Sequence, residues 1–347
     1  MNIISYTEEH NIFRDSLRKF LDKEIVPHIE EWEEACIVPK SVWKKMGEQG
    51  FLCTDIPEKY GGAGGDFLYS VIVCEELTKC NFSGLAASLH SDICVPYISS
   101  FGSEKQKHKY LPGCVSGDII TALAMTEPNA GSDLAAMKTT ATEDGEQIIL
   151  NGQKTFISNG ITCDLVIVAA RDSGVEQQHQ AVDLYLVESG TPGFEKGKQI
   201  KKIGWHSQDT AELYFTDCRI PKENRLGDKG SGFIKLMMKL QQERLVCAIG
   251  AVAAAELMLD LTIRYCRERN AFGRPLSKFQ HIQFEIVEMA TEAKLGRTFL
   301  DKLIVDNMEG KKIVVEVAMA KYWTTDIAFR VDDRCLQLHG GYGYCEE

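Results

Sequence analysis

Apolar residues over the first third of the chain recur at helical intervals. Phe13, Leu17, Phe20, Leu21 and Ile25 follow one helical stripe, and Pro27 closes it. A second helix is expected over Pro39–Gln49. Leu68–Lys79 and Leu85–Val95 read as further apolar helices, so residues 7–110 are mostly helical. The run KYGGAGGDF at 59–67 is too rich in glycine for a regular element and reads as a loop.

From about residue 119 the period changes. Short apolar or alternating runs appear at Ile148–Leu150, Leu165–Ala169, Val182–Val187 and Ala211–Phe215. Turn-forming stretches such as NGQK, SNG, RDSG and ESGTPG separate them, with nothing helical between. Closely spaced strands joined by short turns predict an antiparallel all-β unit. From Gly232 the chain returns to helix, over about 232–268, 277–307 and 312–338. Ala271–Pro275 and Glu309–Gly310 break these segments. The fold class is therefore mainly α with a central β domain. The expected boundaries are an N-terminal helical domain at 1–118, a β domain at 119–228 and a C-terminal helical domain at 229–347.

A chain of 347 residues, 44% hydrophobic, has ample material for a core. Its net charge of -11 argues against nucleic acid or an anionic membrane as a partner. No window reaches the ~18 uninterrupted apolar residues of a spanning helix, so no membrane insertion is expected. The acidic start MNIISYTEEH is unlike a basic targeting peptide, and the expected compartment is the cytoplasm. None of the 12 Cys sits in CxxC spacing, and Cys74, Cys94 and Cys247 lie in apolar runs. That pattern suits buried free thiols in a reducing compartment. Common catalytic signatures are missing: no GxGxxG follows a strand, and no Walker loop, GxSxG elbow or HExxH helix is present. Ser41–Lys44 matches SxxK, as one stretch would by chance. The eight His are scattered without ligand spacing, so no metal is expected.

Six stretches carry a stronger signal. AMTEPNAGSD lies at 124–133, NGQKTFISNG at 151–160 and IGWHSQDTAEL at 203–213. QQERL follows at 241–245, RERNAFGRPLSKFQ at 267–280 and QLHGGYGY at 337–344. In this order and spacing they resemble the acyl-CoA dehydrogenase family across the whole chain, most of all its long-chain branch. The resemblance implies an α–β–α three-domain architecture and FAD as cofactor. It also implies an acyl-CoA substrate of medium to long chain, electron-transferring flavoprotein as electron acceptor, and a homo-oligomer that is a tetramer in its complete form. The implied reaction is α,β-dehydrogenation of the thioester to the trans-2-enoyl-CoA. Its carbonyl would be polarised by a FAD ribityl hydroxyl and a backbone N–H.

The same resemblance assigns roles to residues that have plainer readings by themselves. Thr126–Ser132 reads as a β-turn of small polar residues. Kinship puts Met125, Thr126, Gly131 and Ser132 at the flavin, with Ser132 also near the pantetheine arm of the substrate. The family's glycine is Asn129 here, and Asn tolerates a positive φ. Phe156, Ile157 and Ser158 read as a strand end. By resemblance Phe156 flanks the flavin ring and Ser158 hydrogen-bonds near N5. Arg269, Phe272 and Gln280 bracket a helix break, where a cation also suits the helix dipole. The family reading pairs Arg269 with the FAD diphosphate and gives Gln280 a contact to the same cofactor. Gln337, Leu338, His339, Gly340 and Gly341 read as a glycine helix end or, by kinship, as a cofactor-binding stretch offered to a neighbouring subunit.

Glu243 is the candidate base. Leu236, Leu240, Cys247, Gly250 and Ala254 lie at helical offsets from it, so the pattern puts it on an apolar stripe. A carboxylate there has its pKa raised toward neutrality, which suits proton abstraction near pH 7. A structural ion pair is the plain alternative, although the adjacent Arg244 points ~100° away. The long-chain and isovaleryl enzymes carry their base in an ER pair of this helix, and that pair matches Glu243–Arg244. Gln242 and Arg244 are the flanking substrate-binding candidates. The sequence stops at Glu347, soon after QLHGGYGY, where family members continue for several tens of residues; an incomplete C-terminal domain is therefore expected. Two other readings remain open: an acyl-CoA oxidase-like or nitroalkane oxidase-like flavoenzyme, and an inactive truncated fragment that folds without stable FAD.

Overall fold

A computed structural model describes residues 3–80, 84–175 and 177–345. The chain opens with α1 (Glu8–Glu24), α2 (Ile29–Ala35), α3 (Lys40–Glu48) and α4 (Phe67–Lys79). A further helix begins at Ala87, passes through a π-helical segment at Leu89–Cys94 and continues as α5 (Val95–Phe101). The sequence places its start at Leu85. The structure moves it because Ala86 takes a left-handed φ of 51°. The π segment also explains how the helix runs past Pro96. Proline has no N–H and its ring would crowd the carbonyl of Asp92, and the wider turn gives that carbonyl room. Within it, His90 is fully buried and burial pushes its imidazole down to about 4. The next helix, α6 (Glu104–Ser116), starts on a reciprocal cap. Ser103 Oγ accepts from the Gln106 amide at 3.2 Å, and Gln106 Oε1 accepts from the Ser103 amide at 2.8 Å.

Seven strands form one sheet: β1 (Thr121–Ala124), β2 (Thr140–Asp144), β3 (Gln147–Ser158), β4 (Leu165–Asp172), β5 (Val182–Glu188), β6 (Phe194–Gln199) and β7 (Thr210–Pro221). The short helix α7 (Gln178–Ala181) leads into β5. The expectation of purely antiparallel pairing is corrected here. β4 runs parallel to β1 (Thr121↔Leu165) and, at its far end, to β2 (Thr140↔Arg171), and antiparallel to β5. A parallel pair needs a long crossover, and the β2–β3 hairpin supplies it between β1 and β4. Short turns between successive strands say nothing about pairs that lie further apart in sequence. β4 and β5 are apolar without alternation because both of their faces are covered. Elsewhere the core is one-sided, with Ile148, Leu150, Leu213 and Phe215 inside.

The C-terminal helices are α8 (Gly232–Glu268), α9 (Gln280–Met308) and α10 (Val314–His339). Between α8 and α9 a two-residue hairpin pairs β8 (Asn270–Ala271) with β9 (Arg274–Pro275). Its turn residues Phe272 and Gly273 both have positive φ, 52° and 77°, as a type I′ turn requires. The chain divides into two compact units. One holds residues 16–73 and 82–240, including the sheet. The other holds 1–15, 74–81 and 241–347. By averaged hydropathy one stretch of α8 is long and apolar enough to cross a membrane, and 44% of that window is buried inside the fold. All 12 Cys are free; eight are buried, but Cys247, expected inside, is exposed along with Cys36 and Cys345.

The second unit buries a chain of charges. Arg297 of α9 donates to Glu256 of α8 at 2.8 and 2.7 Å and to Glu75 of α4 at 2.7 Å. Arg14 of α1 reaches Glu75 at 3.0 Å and Glu76 at 2.6 Å. Burial works against the charge on Arg297, but Glu256 and Glu75 outweigh it and raise its pKa further above the usual arginine value. Removing Arg297 takes a cation from buried Glu75, which is left with Arg14 alone, and from half-buried Glu256. Arg297→Met is therefore expected to cost about 3–5 kcal/mol of stability, read as a shift in the urea midpoint at unchanged slope. A change below ~1 kcal/mol would mean the network is as weak as a surface pair.

Candidate functional site

In the sheet unit the site is built around an irregularity in β3. Its pairing with β7 slips between Lys154↔Leu213 and Ile157↔Ala211, so β3 carries an extra residue there. Phe156 absorbs the slip with a φ of 59°. A bulky residue in that region is unusual, and here it turns an aromatic ring outward, leaving Phe156 65% exposed. Ser158 is half-buried beside it. Ile157 points the other way into the sheet core, so it offers only its backbone to a ligand. Phe156 and Ser158 line an open groove of about 650 Å³ with Ile200, Lys201, Lys202, Ile203, Gly204, Trp205, Gln208 and Thr210.

The turn after β1 lies alongside. The Thr155 amide donates to the Thr126 carbonyl at 3.0 Å, which ties the two segments. Glu127 and Ala130 close the turn by exchanging amide–carbonyl bonds of 2.9 and 3.1 Å. Met125 and Thr126 are half-buried, and Gly131 and Ser132 are exposed. Asn129 does not use a positive φ, so this turn does not need the freedom of glycine at that position. The structure thus gathers the turn and the β3 end, the first two of the six stretches.

Several residues that shape this region were not singled out from the sequence. Asp209 accepts from the amides of Ile161 and Thr162 and from the Thr162 hydroxyl, at 2.6, 3.3 and 2.8 Å, and so fixes the turn after Ser158. Glu33 of α2 accepts from the amides of His206 and Ser207, at 2.9 and 3.2 Å, and from the Ser207 hydroxyl. Gln199 donates to the Cys36 carbonyl. Together they hold the 200–208 loop, where Trp205 has a φ of 52° and is 61% exposed. Asp209 had a signal, since it stands in a motif. Glu33 had none, because its partners are more than 170 residues away.

In the helical unit a second open groove, also about 650 Å³, is lined by Arg269 and Gln337–Gly341, with Tyr265, Leu276, His281, Ile282, Tyr342 and Cys345. The last two of the six stretches thus meet. Tyr265 stacks on His339 with centroids 4.3 Å apart, and the Tyr265 hydroxyl donates to the His339 carbonyl at 3.2 Å. Burial lowers the His339 pKa. Gly340 ends α10 at φ 62°, ψ -133°, a conformation open to glycine alone. Gly343 is equally constrained, since a Cβ there would sit 2.4 Å from the Leu336 carbonyl oxygen. Among the described residues Arg269 forms no ion pair. Phe272 and Gln280 are exposed and lie outside the groove lining.

Gln242, Glu243 and Arg244 are half-buried on α8. The expected apolar stripe through Glu243 is corrected. Leu236 is buried, but Leu240, Gly250 and Ala254 are half-exposed and Cys247 is exposed. The buried stripe runs through Leu245, Ala248, Ile249, Val252, Ala255 and Leu259. This helix is apolar nearly all round, so its pattern does not tell which face is covered. Glu243 therefore sits at a partly open edge. No group of three His, Cys, Asp or Glu among the described residues is arranged to hold a metal ion.

Comparison with known proteins matches the same segments. Residues 7–118 match the model of the acyl-CoA dehydrogenase N-terminal domain, 122–218 the middle domain and 230–347 the C-terminal domain. The chain is 43% identical over 343 residues to the mitochondrial long-chain specific acyl-CoA dehydrogenase of Rattus norvegicus, covering 99% of this chain and 80% of that protein. It is 37% identical over 347 residues to the short-chain specific enzyme of the same organism, covering 99% and 84%. A crystal structure of acyl-CoA dehydrogenase from Geobacillus kaustophilus superposes with a TM-score of 0.97 at 55% identity, covering 98% and 90%.

Glu33 gives this geometry a direct check. Glu33→Ala removes the acceptor for two amides and a hydroxyl and should free the loop without disturbing the core. Trypsin is expected to cut after Lys201 or Lys202 about tenfold faster, with global unfolding little changed. Cleavage at the wild-type rate would mean the loop is held by other contacts.

Proposed function

This chain belongs to the acyl-CoA dehydrogenase family, and from that premise we propose that it desaturates a medium-to-long acyl-CoA thioester with FAD as cofactor and Glu243 as base. Members of the family are FAD-dependent oxidoreductases. The observation that carries the cofactor reading is the outward Phe156 ring beside the Ser158 hydroxyl on a largely apolar groove. A flat heteroaromatic ring fits such a surface, with the aromatic packing on its face and the hydroxyl meeting its polar edge. Arg269, an exposed guanidinium outside any ion pair among the described residues, fits a diphosphate. Met125, Thr126, Gly131 and Ser132, on the turn tied to this strand end through the Thr155–Thr126 bond, are proposed to face the flavin. Arg269 and Gln337–Gly341, which line one groove, are proposed to serve the cofactor from a second copy of the chain, and Phe272 and Gln280 are proposed as further contacts to it.

FAD, when bound, accepts the β hydrogen as hydride. The residues of this chain do the remaining work. Glu243 takes the proton from the carbon next to the thioester carbonyl, and Gln242, Arg244 and Ser132 hold the acyl-CoA. Identity of 43% to a long-chain enzyme against 37% to a short-chain one supports the longer substrate, and electron-transferring flavoprotein is the proposed acceptor.

Two measurements test this. Glu243→Gln keeps the side-chain shape and removes its basicity. Anaerobic bleaching of bound flavin by dodecanoyl-CoA should slow by about 10²–10⁴-fold with FAD and acyl-CoA binding retained; bleaching near the wild-type rate would remove Glu243 from the role. Running butyryl-, octanoyl-, dodecanoyl- and palmitoyl-CoA on the wild type sets the chain length. A dilution series by sedimentation with flavin absorbance addresses the second copy. Flavin should dissociate as the oligomer does, and full retention by a monomer would refute a site completed across an interface.

A further inference from the structure

Lys154 is the one ammonium group wholly enclosed by the fold among the described residues, with no exposed surface. It lies on β3 at the last paired position before the bulge. Its Nζ donates to the Met125 carbonyl at 3.0 Å and to Glu127 Oε1 at 2.8 Å. Glu127 is itself 6% exposed and fully engaged. It also accepts from the Thr139 amide at 2.9 Å and from the Lys138 amide at 2.6 Å. Burial alone would raise the Glu127 carboxyl. The Lys154 charge and these hydrogen bonds outweigh it and hold the pKa below its ordinary value. Burial lowers the Lys154 pKa, and the charge and hydrogen bond of Glu127 oppose that shift, so each partner favours the charged form of the other.

Enclosing a charge is costly, and a well-packed apolar pair of the same volume is often no less stable. What an ionic pair adds is a fixed distance and direction. Here it fixes something specific. Met125 precedes Thr126 and Glu127 opens the Glu127–Ala130 turn, so one ammonium grips both ends of the segment that carries the Thr126 hydroxyl. The same lysine is two residues before Phe156, whose left-handed φ aims the ring outward. The Thr155 amide bond to the Thr126 carbonyl lies between them.

We infer that Lys154 is a positioning residue: through Glu127 and the Met125 carbonyl it locks the 125–130 turn to the β3 bulge, so that Thr126 and Phe156 present one preset surface to the flavin. The role of that surface rests on the function proposed above, but the lock itself does not.

The test uses the full chain. Lys154→Met alone leaves Glu127 enclosed without a counter-charge and is expected to unfold readily. Lys154→Met with Glu127→Gln removes both charges, and Glu127→Gln alone keeps the lysine bond to Met125. Lys138 and Thr139 donate to different carboxylate oxygens, so in both variants the amide oxygen keeps only one of these two bonds and that loss is common to the pair. Two readouts are taken at a temperature where wild type and variants are folded. The first is hydrogen exchange of the Thr155, Glu127 and Ala130 amides, expected to be about tenfold faster in the double variant and less so in Glu127→Gln, with Leu150 and Leu213 unchanged. The second is FAD titration into apoprotein. Binding should weaken about tenfold in the double variant, with a changed visible flavin spectrum in what does bind.

Wild-type exchange at Thr155, Glu127 and Ala130 in either variant would overturn the lock. Faster exchange with wild-type FAD affinity and spectrum would reduce Lys154 to a core residue and overturn the positioning role. A wild-type apoprotein that takes up no FAD would instead overturn the proposed function, while the exchange result would still decide the lock.

Discussion

The sheet unit depends on the antiparallel pairing of β3 with β7, two strands of 12 residues each. This is its longest ladder, and both neighbours, β2 and β6, hang from it. A perfect ladder would send every second side chain of β3 into the core. The slip after Lys154 breaks that alternation at one point. Before it, Ile148 and Leu150 face inward; after it, Ile157 does, and Phe156 is left outside. A single extra residue thus converts a core strand into a binding edge while the hydrogen-bond ladder continues on both sides.

Groups that hold chemistry in place are themselves held by interactions remote in sequence. Glu33 pins the 200–208 loop from α2, Asp209 pins the turn after Ser158, and Lys154 grips the turn after β1. All three are buried or half-buried acids and bases acting on backbone groups. Such contacts are directional and, once enclosed, strong. The helical unit follows the same rule with Arg297 and Arg14 against Glu75, Glu76 and Glu256, where charge pairs fix which faces of α1, α4, α8 and α9 meet. Its groove joins Arg269 with Gln337–Gly341 because the stack of Tyr265 on His339 brings the ends of α8 and α10 together.

Much of this was legible in the chain. The helices from Gly232 onward and the strands β3, β4, β5 and β7 follow from periodicity and turn residues. The hairpin at Phe272–Gly273 is announced by a break between two helical runs. Lys154 also leaves a trace in the chain. It falls in phase with Ile148 and Leu150, and a charge in phase with a buried face requires a partner. The π segment at Leu89–Cys94 had only Pro96 as a hint, and α2 was too short to stand out. The parallel pairing of β4 was hidden because register between distant strands is decided by the whole sheet.

What the sequence by itself determined was the order of helices, strands and helices, and the family, since six motifs in register are local patterns that need no folding to be seen. Tertiary structure decided which faces are covered and which residues meet. On α8 the apolar residues go nearly all round, so only packing could show that the stripe through Leu245 and Ile249 is buried while Glu243 lies at a half-open edge and Cys247 outside. Likewise no local pattern could turn Phe156 out and Ile157 in, because that choice belongs to the pairing of β3 with a strand more than fifty residues away.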